Sequence, residues 1–132
     1  MLTLSKKVYE EIVAQCQRTY PKEACGILAG SEGLVEQIYP MRNIDDSPIG
    51  YSMDPKEQLE VEKNMRAHNQ RMIGIYHSHT SSAAYPSSVD VSLAISPDVS
   101  YVLVSLHDRA NPEIKSYRID GKRIINEPLN VL

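Results

Sequence analysis

Cysteine is scarce in this chain of 132 residues: only Cys16 and Cys25 are present, and no Cys-x-x-Cys pair occurs. A disulfide framework or a thiolate metal knuckle is thereby excluded, and both thiols are expected to be reduced and buried. Basic runs are also missing. The net charge is −3, with Lys and Arg scattered, so nucleic acid is not an expected partner, because neutralising phosphates needs clustered cations. No long hydrophobic run exists either. The longest, around Val99–Leu106, is far too short to cross a bilayer, and no membrane partner is expected. The N-terminal MLTLSKKVYEE lacks an apolar signal region, so an unprocessed, cytoplasmic protein is the default expectation.

What is present suits one domain over residues 1–132, long enough to bury a core without disulfides or a structural metal. A metal site would then be free to serve chemistry. After a strand at Leu2–Leu4, Ser5 can cap a helix to Thr19, with Val8, Ile12 and Cys16 on its apolar face. Strands are expected at Ala24–Ala29 and Leu34–Met41, joined by the turn Ser31-Glu32-Gly33, and Asn43–Gly50 reads as a polar loop. Asp54-Pro55 opens a second helix running to about His68. Met72–His79 is the next strand. A third helix starts at Ser87 and is stopped by Pro97, and Val99–Leu106 is the most apolar strand. Glu113–Ile119 and Lys122–Asn126 flank an Asp120-Gly121 turn. This order predicts an α/β fold: a mixed sheet flanked by helices.

The chemistry concentrates in YHSHTSSAAYPSSVD, residues 76–90. In a strand, His77 and His79 project to one side with Cα atoms roughly 7 Å apart, close enough for two imidazoles to share an ion. By the same parity Ile73 and Ile75 join the histidines, while Met72, Gly74, Tyr76 and Ser78 face the other way. Ser87 and Asp90 lie three apart, on one face at a helix start. Asp90 can complete a His, His, Asp set that leaves a fourth zinc position open, as in catalytic sites. Each half also has a plainer explanation. Strand-end histidines often bond backbone or solvent, and Ser87-x-x-Asp90 is a capping pattern.

Peptide hydrolysis also needs a base, and YPKEACGILAG, residues 20–30, carries Glu23 just before an apolar strand. There it could enter a cleft or remain a solvated loop acid. Together the segments resemble the JAMM (MPN-plus) zinc metalloprotease family. Its signature is an upstream Glu, then His-x-His, seven residues, Ser, two residues and Asp. Glu23, His77, His79, Ser87 and Asp90 fall on it, and Pro21-Lys22-Glu23-Ala24-Cys25-Gly26 is similar to that family's Pro-x-Glu-x-Cys-Gly stretch.

The resemblance implies a cytidine-deaminase-like architecture. It also implies one zinc ion per chain held by His77, His79 and Asp90, with Glu23 as general acid/base and Ser87 stabilising the oxyanion. Zinc-bound hydroxide would attack a peptide or isopeptide carbonyl after the C-terminal Gly-Gly of a ubiquitin-like or sulfur-carrier protein. The short stretch between the first two strands and Tyr51 is similar to the compact prokaryotic form, associated with release of a C-terminal cysteine or of a lysine-linked modifier. His68 and His107 are expected to be structural or solvated, and Cys25 to pack as a small apolar residue. A catalytically silent scaffold is the alternative, although silent members lack ligands that this chain keeps. A zinc deaminase would need His-x-Glu and Pro-Cys-x-x-Cys, and the chain has neither.

Overall fold

The computed structural model describes residues 1–132. Along the chain run β1 (Leu2–Leu4), α1 (Lys6–Thr19), β2 (Cys25–Ser31), β3 (Leu34–Met41), α2 (Pro55–Ala67) and β4 (Arg71–His79). They are followed by α3 (Ser88–Ser92), β5 (Ser100–Ser105), β6 (Glu113–Asp120), β7 (Arg123–Glu127) and β8 (Leu129–Val131). All eight strands form one sheet in the order β7-β6-β5-β4-β2-β3-β1-β8. The β4–β5, β1–β3 and β1–β8 pairs are parallel and the others antiparallel, so the expected mixed sheet is what forms.

The helices cover opposite faces of this sheet. Ser5 caps α1 as expected, its hydroxyl accepting the Val8 N–H at 3.1 Å. Val8, Ile12 and Cys16 of α1 then pack with Leu2, Leu4, Leu28, Tyr76, Val102 and Val104. On the other face, Val61 and Met65 of α2 pack with Cys25, Ile27, Ala29 and Met41. Cys16 and Cys25 are both free and buried, on these separate faces. Burial pushes each thiol up to about 12.

Four local expectations need correction. The third helix ends at Ser92 instead of reaching Pro97. The reason lies in β5: the Tyr101 hydroxyl accepts the N–H groups of Ile95 and Ser96 at 2.8 and 3.2 Å, drawing that segment out of helical pairing. The last hairpin turns at Gly121-Lys122, because Asp120 pairs with Arg123. Gly121 takes φ +62°, the sign that the first position of a tight hairpin turn favours for glycine. Ile73 packs with Tyr76 on the α1 face, whereas Met72 joins Ile75 on the other. A bulge opposite Leu28/Ala29 inserts a residue there and reverses the parity upstream of Gly74. Finally, β8 was not anticipated: its three residues are ordered by pairing with β1, Leu2 opposite Leu129 and Leu4 opposite Val131.

Candidate metal centre and cleft

β4 is central, hydrogen-bonded to β2 on one side and β5 on the other, and its C-terminal end carries the two histidines. Cys25 of β2 lies directly opposite His77, so the histidines sit on the α2 face at the carboxyl ends of the parallel β4–β5 pair. Open α/β sheets characteristically bind ligands at such strand ends. His77 and His79 are 4% and 5% exposed. Their Nε2 atoms are 3.2 Å apart. α3 brings in Asp90, whose Oδ1 is 3.2 Å from His77 Nε2 and whose Oδ2 is 3.0 Å from His79 Nε2.

The helical-cap explanation of Ser87-x-x-Asp90 also holds. Ser87 is the N-cap of α3: its Oγ accepts the Asp90 N–H at 3.1 Å, and Asp90 Oδ2 accepts the Ser87 N–H at 2.9 Å. This reciprocal box fixes the Asp90 carboxylate against the imidazoles, so one motif both starts the helix and aims the acid. The Ser87 O–H stays available as a donor toward the cleft.

The donor set fits a borderline cation such as zinc. Two nitrogens and the Asp90 carboxylate converge with their candidate ligand atoms within 4.8 Å of one another. His79 Nδ1 lies 2.9 Å from the Ala83 carbonyl, which can only accept. A proton is therefore held on Nδ1, and Nε2 is the nitrogen turned to the centre: in the metal-free protein it carries the proton that Asp90 accepts, and a cation held there would take that proton's place. His77 stacks on Tyr51, with ring centroids 4.6 Å apart, and burial pushes its pKa down, favouring the neutral ligand form. Burial alone would raise Asp90, but the hydrogen bonds from His77 and His79, with the Ser87 N–H, hold it well below the carboxylate range. His79 is held above its ordinary value, burial being outweighed by Asp90 and the Ala83 carbonyl.

Glu23 reaches the same cleft, a space of about 210 Å³ that it lines together with Tyr51, His79, Ser87 and Asp90. The solvated-loop alternative does not hold, since Glu23 is 6% exposed. Burial, with the Asp90 carboxylate adding to it against the pull of His79, pushes its pKa from 4.5 to about 7. The five residues singled out in the sequence thus occupy one site.

Several residues that shape the cleft carried no recognisable sequence signal. The segment expected as a polar loop forms a wall, with the Thr80 hydroxyl donating to the Pro48 carbonyl at 2.9 Å and Ile49 exposed at its tip. On the other side, four successive carbonyls are captured by side chains. Ser81 is held by His107 Nδ1, Ser82 by Ser105 Oγ, Ala83 by His79 Nδ1 and Ala84 by the Tyr117 hydroxyl. His107 is structural, as expected, and so is His68, whose Nδ1 meets the Asn64 carbonyl at 2.8 Å at the end of α2.

The chain is similar to several known proteins. Over 134 aligned residues the chain is 43% identical to the CysO-cysteine peptidase of Mycobacterium tuberculosis, spanning 100% of this chain and 92% of that protein. The desampylase of Pyrococcus furiosus is 36% identical over 69 residues, 52% of this chain and 49% of that one. A solved structure of a Desulfitobacterium hafniense protein, 40% identical, superposes with a TM-score of 0.91 over 100% of this chain and 93% of the other. A JAB1/MPN domain protein from Archaeoglobus fulgidus shares the fold at 18% identity, with a TM-score of 0.65 over 100% and 97% of the two chains. Residues 5–120 match the family described as prokaryotic homologs of the JAB domain, and the chain belongs to that family.

Proposed function

We propose that this protein is a zinc-dependent peptidase that hydrolyses the bond after the C-terminal Gly-Gly of a ubiquitin-like or sulfur-carrier protein, releasing a C-terminal cysteine. The observation that carries the proposal is the convergence of His77, His79 and Asp90 in a cleft that also holds a buried Glu23. Likeness to a CysO-cysteine peptidase over the whole chain, at 43% identity, favours cysteine release over lysine deconjugation, since the likenesses to two desampylases span 52% and 64% of it at 36% and 32% identity.

His77, His79 and Asp90 would hold the ion. Zinc there would supply Lewis-acid polarisation of the scissile carbonyl and activation of a water as nucleophile. The remaining steps belong to the chain. Glu23, pushed to about 7, can accept the water's proton near neutral pH and return it to the departing amine. As the water oxygen bonds to the carbonyl carbon, the C–N bond breaks and that proton leaves with the amine. The Ser87 hydroxyl, already accepting from the Asp90 N–H, donates its own hydrogen to the carbonyl oxygen as charge builds there. Tyr51 shields His77 from solvent on the cleft side.

The test is to incubate the zinc-loaded protein with a ubiquitin-fold carrier ending in Gly-Gly and bearing an amide-linked cysteine, then weigh the products. Loss of one cysteine residue, abolished by a chelator, is the expected result. Glu23→Gln should retain zinc yet lower kcat by about 10²–10⁴. An intact adduct, or cleavage unaffected by chelation, would refute the proposal.

A further inference from the structure

Glu23 is buried, yet its carboxylate takes no hydrogen bond from any protein donor, so its side chain is not what holds it in the cleft. Its backbone is held instead. The Glu23 N–H donates to the Ser47 carbonyl at 2.9 Å. The peptide that follows is gripped at both ends: the Glu23 carbonyl accepts from Asn43 Nδ2 at 3.0 Å, and the Ala24 N–H donates to Ser78 Oγ at 2.8 Å. Fixing that plane, with the Glu23 N–H also held, fixes the backbone torsions of Glu23 and so the direction in which its Cα–Cβ bond leaves the chain.

Both grips come from residues that are themselves anchored. Ser78 is 0% exposed and sits in β4 between His77 and His79, with its side chain on the opposite face. Its own N–H donates to the Ala24 carbonyl at 3.0 Å, so the two segments are tied by a reciprocal pair of hydrogen bonds. Asn43 uses both ends of its amide. Nδ2 also reaches the Gly50 carbonyl at 2.9 Å, while Oδ1 accepts the Asp45 and Ser52 N–H groups at 3.1 Å.

We propose that Ser78 and Asn43 are positioning residues that aim the Glu23 carboxylate by clamping the Glu23–Ala24 peptide. Ser78 references that peptide to the strand carrying both histidines, and Asn43 references it to the cleft wall. A buried amide left without its acceptor must move or stay unsatisfied. A displacement of about 1 Å in a reacting group can cost about 10²-fold in rate. Ser78 faces away from the cleft, so its effect on catalysis runs through Glu23. The proposal rests on the acid/base role given to Glu23 above.

The experiment compares the full chain with Ser78→Ala, Ser78→Thr and Asn43→Ala. The readouts are amide exchange at Ala24, zinc affinity by chelator competition, and kcat and KM on the cysteine-bearing carrier. Ser78→Ala should accelerate Ala24 exchange by roughly tenfold or more. It should lower kcat by about 10- to 100-fold with KM and zinc affinity within about threefold of the parent. Ser78→Thr, which keeps the hydroxyl, should restore both exchange and kcat. Asn43→Ala, which spares the core, should lower kcat in the same way, so the inference can be tested even if the Ser78 variants fold poorly. Full kcat in Ser78→Ala despite faster exchange at Ala24 would overturn it, as would zinc affinity falling in step with kcat. A Glu23→Gln control with undiminished rate removes the role of Glu23 instead, while Ala24 exchange still reports the clamp.

Discussion

Glu23 and Asp90 are both carboxylates of one cleft, and their surroundings drive them apart. Asp90 accepts from two imidazoles and a backbone N–H and stays charged. The Glu23 carboxylate accepts from no protein donor, and burial lifts it to about 7. This difference has a consequence for stability in the metal-free protein. Because the folded pKa lies above the ordinary 4.5, the native state binds more protons than the unfolded chain between those values. The contribution of Glu23 is therefore least unfavourable at acid pH, falls as pH rises through that window, and is fully destabilising above about 7. Glu23→Gln removes the charge, so metal-free Glu23→Gln should gain on the order of 1–2 kcal/mol over the parent at pH 8 and nothing at pH 4. Urea titrations of both proteins across this range provide the check. Parallel stability curves would show that Glu23 titrates normally.

The short helix α3 shows how one element can serve two purposes. Five residues cannot sustain a helix by propensity, so the reciprocal Ser87–Asp90 box and the carboxylate held against the two imidazoles support each other. Separating these duties by mutation gives distinct outcomes. Ser87→Ala should cost about 1 kcal/mol of stability through the lost cap. It should also lower kcat by about 10²–10³ while the protein still takes up zinc. Asp90→Ala should abolish stoichiometric zinc uptake, read by metal analysis after gel filtration. A Ser87→Ala protein with full kcat would leave the hydroxyl with capping alone. The length of α3 was not legible in the sequence. Pro97 marks a possible end, but the Tyr101 hydroxyl that captures Ile95 and Ser96 belongs to the next strand. By contrast α1, with its cap and its Val8–Ile12–Cys16 stripe, could be read directly because its signals are local.

Across the whole molecule, the core lies on both faces of the sheet, and the three candidate ligands cluster at one end of β4 and in α3. Little of the fold depends on them. Chelation should therefore leave the far-UV circular dichroism spectrum and cooperative unfolding intact. Tm should drop by about 10 °C, the linkage expected for zinc present at roughly 100 times its Kd. Loss of secondary structure on chelation would instead make the metal a structural one. The size of the chain points the same way, since 132 residues bury a sizeable core without such a staple.

Sequence alone determined which residues could do chemistry, because their identities and spacings are themselves physical constraints. Alternation in a strand puts His77 and His79 on one side, and a three-residue step at a helix start joins Ser87 to Asp90. It also determined most elements, wherever caps, turns and apolar periodicity act within a few residues. Only the tertiary structure decided what lies close across long separations. The bulge that turns Ile73 away from the histidine face depends on β2, and β8 exists because β1 pairs with it. The raised pKa of Glu23 comes from burial that no local pattern encodes, and the peptide that carries Glu23 is held by Asn43 and Ser78 from two distant segments. Hydrogen bonds and desolvation act through space, and the chain brings those partners together only when it folds.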